Sequence, residues 1–199
     1  LKRSQKILEK QVTIRTKELH EEKEKLQEAY SEIGQKNKDI TDSIHYAKRI
    51  QEAILPPDSF IKQLLPESFV LYKPKAIVSG DFYWIEQWGH QILIAAADCT
   101  GHGVPGAFMS IVGHNILTQA VNVLGLSKPA LVLNETNRQL SRKLNQDPEE
   151  ATVRDGMDIA MVSINYTKRT MEFSGANNPL WIIRNKELIQ INGNKFPVG

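Results

Sequence analysis

Ser79-Gly80-Asp81-Phe82-Tyr83-Trp84-Ile85 and Gln91-Ile92-Leu93-Ile94-Ala95-Ala96-Ala97-Asp98 are two strand-like runs, joined by a stretch that ends in Trp88-Gly89-His90. A two-residue turn at Gly89-His90, with glycine supplying the positive φ that such turns demand, makes them a β-hairpin. Its register pairs Ile85 with Ile94, Tyr83 with Ala96, and Asp81 with Asp98. Directly opposed residues have Cβ atoms about 4.5–5.5 Å apart. Two carboxylates at about 5 Å repel by on the order of 3 kcal/mol at an effective dielectric of about 20. A divalent cation converts that penalty into a binding site. A slipped register with both carboxylates in solvent is the competing reading.

The residues after Asp98 bear on that choice. Cys99-Thr100-Gly101-His102-Gly103-Val104-Pro105-Gly106 is a glycine-rich loop leading into a helix, with Pro105 suited to its first position. Ala107, Phe108, Ile111, Val112, Ile116, Leu117, Val121 and Leu124 then recur at helical spacing. A buried strand ending in Asp, followed by a loop able to turn carbonyls inward, adds neutral oxygen ligands to a hard cation. The glycines also suit a plain strand-to-helix connection. No P-loop lysine pattern is present for phosphate cradling.

With 199 residues the chain has room for one globular domain and an extension. A net charge of +2, without a basic stripe interleaved with aromatics, does not point to nucleic acid. There is no secretory leader and no apolar stretch of about 18 residues. Cys99 is the single cysteine, which rules out an internal disulfide and suits a reducing cytosol; a cytoplasmic domain is expected, whose parent could be membrane-anchored before Leu1. Cys99 reads as a small buried hydrophobe rather than a nucleophile.

Residues 1–55 differ in kind from residues 56–199. Val12, Leu19, Leu26, Ile33, Ile40, Ala47 and Ile54 recur every seven residues. Taken as d positions, they put Thr16, Lys23, Tyr30, Asn37, Ile44 and Gln51 at a. Asn37 would specify a two-stranded parallel register. A helix of about 80 Å at 1.5 Å per residue is too long to cover one small domain, so a homodimeric coiled-coil linker through residues 1–55 is expected. A single amphipathic helix docked by its last turns is the other reading. Pro56-Pro57 ends it.

Beyond it, strands are expected at 69–73, 79–86, 91–98, 157–165, 170–175, 180–184 and 187–191. Helices are expected at 105–124 and 129–145, the second capped by Ser127. Two strand groups around two helices predict an α+β layered domain.

Taken together, Ser79-Gly80-Asp81-Phe82-Tyr83, Asp98-Cys99-Thr100-Gly101-His102-Gly103, Asp155-Gly156-Met157-Asp158 and Gly175-Ala176-Asn177-Asn178-Pro179 resemble the SpoIIE/RsbU branch of the metal-dependent (PPM) serine/threonine phosphatases. Ile50-Gln51-Glu52-Ala53-Ile54-Leu55-Pro56 resembles it too, so the likeness covers residues 44–199. The resemblance implies a sandwich of two antiparallel sheets flanked by helices, and two Mn²⁺ or Mg²⁺ ions in a complete domain. It implies removal of phosphate from phosphoserine or phosphothreonine in proteins, a small anti-sigma-factor antagonist being the usual signalling substrate. Carried over, Asp98 would bridge the metals, Cys99 would offer its backbone carbonyl, and Asp81 would complete the second metal's shell directly or through water. Metal-activated water would attack phosphorus directly, so no Ser or Cys nucleophile is implied.

Four features depart from the pattern. In the wider family a histidine lies two residues after the metal aspartate, whereas His102 lies four after Asp98, so general acid and polar residue at the helix start both stand. Asp155 and Asp158 could support a third metal or be turn and strand-cap carboxylates. Trp84, where an acidic residue is common, reads as packing. After Asp158 there is no Asp, and only Glu172 and Glu187 are carboxylates. A truncated domain, weakly active or inactive alone, is therefore expected, with a sensor upstream of Leu1. A linker-regulated phosphatase and a non-catalytic phosphatase-like adaptor remain the two functional readings; a simple coiled-coil scaffold leaves the loop unexplained.

Overall fold

The computed structural model of the protein describes residues 2–144 and 155–199. The helices are α1 (Lys2–Ile54), α2 (Asp58–Leu64), α3 (Gly103–Asn122) and α4 (Pro129–Leu144). The strands are β1 (Phe82–Trp88), β2 (Gln91–Cys99), β3 (Met157–Asn165), β4 (Thr170–Ala176), β5 (Leu180–Arg184) and β6 (Glu187–Ile191). The chain divides into two compact units, one ending at Ile44 and one from His45 to Gly199.

The first unit is helical throughout its described residues, as the unbroken heptad predicts. Val12, Leu19, Leu26, Ile33 and Ile40 are all exposed on it. No helix among the described residues is long and apolar enough to cross a membrane.

In the second unit, β1–β4 form one antiparallel sheet in sequential order, and β5 and β6 form a separate hairpin. The α+β class with antiparallel sheets is as the sequence predicts. The Gly89-His90 turn closes the β1–β2 hairpin on the pair Trp88–Gln91, and Gly89 takes φ +58°. Asn185 and Lys186 both take positive φ in the β5–β6 turn, the conformation whose twist matches the flanking strands.

Strand alternation gives the four-stranded sheet two faces. Phe82, Trp84, Leu93, Ala95, Ala97, Cys99, Met157, Ile159 and Met161 point to a core shared with Ile116, Leu117, Val121, Val132 and Leu140 of α3 and α4. Trp84, 1% exposed, packs there with its indole N–H donated to Thr118 Oγ1 at 2.9 Å, so the packing reading of this residue holds. On the opposite face Ile85 and Ile92 pack with Ile61 of α2, together with half-buried Phe60 and Leu64.

Two expectations fail. Residues 69–73 are not a strand but an irregular segment, with Phe69 86% exposed. A strand exists through the hydrogen bonds of a neighbour, and among the described residues no strand pairs with this run. Ser127 does not cap α4. The Lys128 carbonyl accepts from the N–H groups of Leu131 and Val132, both at 3.0 Å. Pro129 has no N–H and therefore takes the first helical position, which puts the cap at residue 128. Helix α3 likewise starts at Gly103, with Pro105 inside its first turn.

Candidate metal centre

The register derived from the turn is the one observed: Phe82 pairs with Ala97, Tyr83 with Ala96, and Ile85 with Ile94. One step beyond Phe82–Ala97, Asp81 stands against Asp98. Asp98 in turn pairs with Asp158 of β3. One step past the pair Ile159–Ala176, Asn177 donates from Nδ2 to Asp158 Oδ1 at 2.7 Å. Directly paired residues share a face. Asp81, Asp98, Asp158 and Asn177 therefore form a row along one end of the sheet, on the face away from α3 and α4.

Within this row Asp81 and Asp98 are the interacting pair. The Asp81 carboxyl is pushed above its ordinary value, first by partial burial and then by a hydrogen bond and charge repulsion with Asp98. Cys99, one residue on, points the other way into the core. Burial, then the Asp98 and Asp81 charges, push its thiol up to about 12. A thiol that stays protonated is no nucleophile. What Cys99 has left to offer a cation is its backbone carbonyl.

The loop carrying that carbonyl is held by close backbone approach. A Cβ on Gly80 would lie 2.9 Å from the Gly101 carbonyl oxygen and 3.0 Å from that of Cys99. A Cβ on Gly106 would lie 2.7 Å from the Gly101 oxygen. Only glycine fits either position. We expect Gly80→Ala to lower stability by about 1–3 kcal/mol in denaturant unfolding and to weaken Mn²⁺ binding; unchanged values for both would contradict this packing. Thr100 fastens the other side of the loop. Its N–H and its hydroxyl both donate to the Gly156 carbonyl, at 2.9 and 3.0 Å, and its Oγ1 accepts from the Gly156 N–H at 3.0 Å.

The remaining predicted residues separate. Asp155 lines a different cavity of about 460 Å³ with Asn137 and Ser174. His102 is exposed at the N-cap of α3, in extended backbone, and makes no side-chain capping bond. Asn178 lines the same cavity as Asp81 and Asp98, so the Asn177-Asn178 turn lies beside the pair. Among the described residues no three His, Cys, Asp or Glu side chains come together as a metal cage. Two carboxylates and a backbone carbonyl suit the start of a hard-cation site.

Gln51 is the residue whose role sequence reasoning missed. It lies near the end of α1, within the second unit, and is 3% exposed. Its Nε2 donates to Ser79 O at 2.6 Å and to Ser110 Oγ at 2.7 Å, while its Oε1 accepts from Ser79 N–H at 3.0 Å. Ser79 Oγ accepts from the Asp81 N–H at 3.0 Å. One carboxamide thus joins α1, α3 and the segment that presents Asp81. The available signal is a polar residue at an a position just before the helix ends.

The profile of the family described as Stage II sporulation protein E (SpoIIE) matches residues 89–199. Among solved structures, the SiaA-PP2C domain of Pseudomonas aeruginosa is similar, with 34% identity and a TM-score of 0.72. That likeness covers 82% of this chain and 64% of the other, so the chain spans less than two thirds of that domain's length. The PP2C phosphatase domain of SpoIIE from Bacillus subtilis, with a fragment of its regulatory domain, is 21% identical with a TM-score of 0.49. There the coverage is 61% of this chain and 34% of the other. No curated protein matches the chain.

Proposed function

The chain belongs to the SpoIIE family, and we propose that it is part of a metal-dependent phosphatase domain that removes phosphate from phosphoserine or phosphothreonine in proteins. The observation that carries this reading is the interacting Asp81–Asp98 pair, one step past the β1–β2 register, with Cys99 next in the chain. Asp98 would be the ligand shared between the ions, Asp81 would hold one ion directly or through water, and Cys99 would contribute main-chain oxygen. When bound, Mn²⁺ or Mg²⁺ supplies an activated water and positive charge for the phosphoryl oxygens. The chain's own part is to hold the two carboxylates at a separation they would not tolerate alone, and to keep the Cys99 thiol out of the chemistry. Asp158, fixed by Asn177, is a supporting carboxylate at the edge of this site. A phosphorylated anti-sigma-factor antagonist is the candidate substrate. The test is Mn²⁺-dependent release of phosphate from a phosphoserine protein, abolished by EDTA.

A second reading has its own support. Because no three His, Cys, Asp or Glu side chains among the described residues are placed to hold a metal ion together, a domain that binds phosphoprotein without turning it over is the alternative. Binding without release of phosphate in Mn²⁺ would favour it.

The helix that carries Gln51 is the proposed control element, with an upstream sensor as its input and dimerisation of residues 1–55 as its form. The chain should sediment as a dimer, and Leu19→Lys with Leu26→Lys should make it a monomer while leaving the fold of residues 45–199 unchanged. A monomeric wild-type chain at tens of micromolar would remove the coiled coil from this account.

A further inference from the structure

The cavity on the outward face of the sheet, about 660 Å³, has Asp81 and Asp98 in one wall and the irregular segment 69–73 in another. Among the described residues, Lys73 is the one cationic residue that lines it, and Asp81 and Asp98 are the anionic ones. Opposite charges sharing one cavity would ordinarily close into an ion pair. Here Lys73 is exposed and takes part in none of the ion pairs found among the described residues.

Its backbone is nonetheless held. The Tyr72 hydroxyl donates to the Asp81 carbonyl at 3.1 Å, and the Tyr72 ring packs edge-on against Tyr83 with centroids 5.6 Å apart. Pro74 follows and restricts residue 73 to extended conformations. The lysine is thus rooted at the rim of a doubly acidic site, within reach of it on its flexible stem, without being ion-paired to it. A phosphoryl dianion approaching two carboxylates needs positive charge beyond that of a cation the carboxylates already hold. Lysine supplies it as a point charge with three donors.

We propose that Lys73 is a substrate-binding residue whose Nζ donates to a phosphoryl oxygen while Asp81 and Asp98 are engaged with the metal ion. This rests on the phosphatase reading and adds to it the group that receives the anion.

The experiment titrates the chain, in Mn²⁺, with inorganic phosphate and with a peptide carrying a non-hydrolysable phosphonate analogue of phosphoserine. Lys73→Met should weaken both by about tenfold, and Lys73→Arg should restore binding to within about threefold. Mn²⁺ affinity should not change, and where turnover is measurable KM should rise with kcat held. Phosphate binding by Lys73→Met as tight as wild type, or a weakening that tracks loss of Mn²⁺, overturns the proposal. So does turnover by a wild-type chain that binds neither probe. Loss of binding in Lys73→Met with no turnover in wild type would uphold Lys73 and leave the adaptor as the function.

Discussion

Asp98→Ala is expected to lower Mn²⁺-dependent phosphate release from a phosphoserine protein by on the order of a thousandfold, because removing about 4 kcal/mol of transition-state charge stabilisation costs about three decades in rate. Mn²⁺ affinity should fall in parallel, which can be read by calorimetry even where turnover is slow. Activity that survives in this variant would remove Asp98 from the centre of the site.

Without metal the same pair has an opposite signature. The Asp81 carboxyl is held above its ordinary value of 3.8 by partial burial first, and then by its hydrogen bond and repulsion with Asp98. Folding therefore favours its protonated form. That contribution to stability is fully present below the unfolded value and is lost as pH rises through the raised one. Mn²⁺ binds the ionised pair, so the rise in Tm on adding Mn²⁺ should be larger at pH 7 than at pH 5. Equal shifts at the two pH values would mean that the cation binds elsewhere. Asp98→Asn should make the metal-free protein more thermostable at pH 7, since it removes the repulsion and keeps the shape.

Gln51→Ala is expected to destabilise the protein by about 2–4 kcal/mol, as measured by denaturant unfolding. The truncation strips partners from the N–H and C=O of Ser79 and the hydroxyl of Ser110, and both serines are buried. Gln51→Glu separates chemistry from volume. A carboxylate can still accept from the Ser79 N–H, but it has no proton to give to the Ser79 carbonyl. Its stability should fall nearly as far as that of the alanine variant at pH 7. Both variants should also bind Mn²⁺ less tightly, because the residue they release, Ser79, holds the Asp81 N–H. Normal Mn²⁺ affinity in a destabilised Gln51→Ala would confine Gln51 to packing and detach α1 from the site.

The parts of this molecule that short-range rules govern were legible in the sequence. A two-residue turn sets a register by counting, and the count from Gly89-His90 put Asp81 opposite Asp98. The turn at Asn185-Lys186 and the strands on either side of it follow from the same logic. What depends on a distant partner was not legible. The run Phe69–Lys73 has every local mark of a strand and is not one, because pairing is decided elsewhere in the chain. Gln51 looked like a polar residue in a coiled-coil seam; only the fold shows that residues 28 and 59 positions away consume its hydrogen bonds. Asp155 and Asp158 are three residues apart, yet they line different cavities or edges, since the strand begins between them.

The β1–β2 turn carries a consequence beyond topology. Hairpin tips are ordinarily where natural variation adds and removes residues freely. In this hairpin Asp98 is held in place by β3, whereas the register of Asp81 against it is set by the count across Gly89-His90. An added residue not absorbed as a bulge would carry Asp81 to the core side of the sheet and leave Asp98 alone. A surface turn some eight residues from either carboxylate thus acts as the ruler of the site, and its length is as constrained as the identity of the two aspartates.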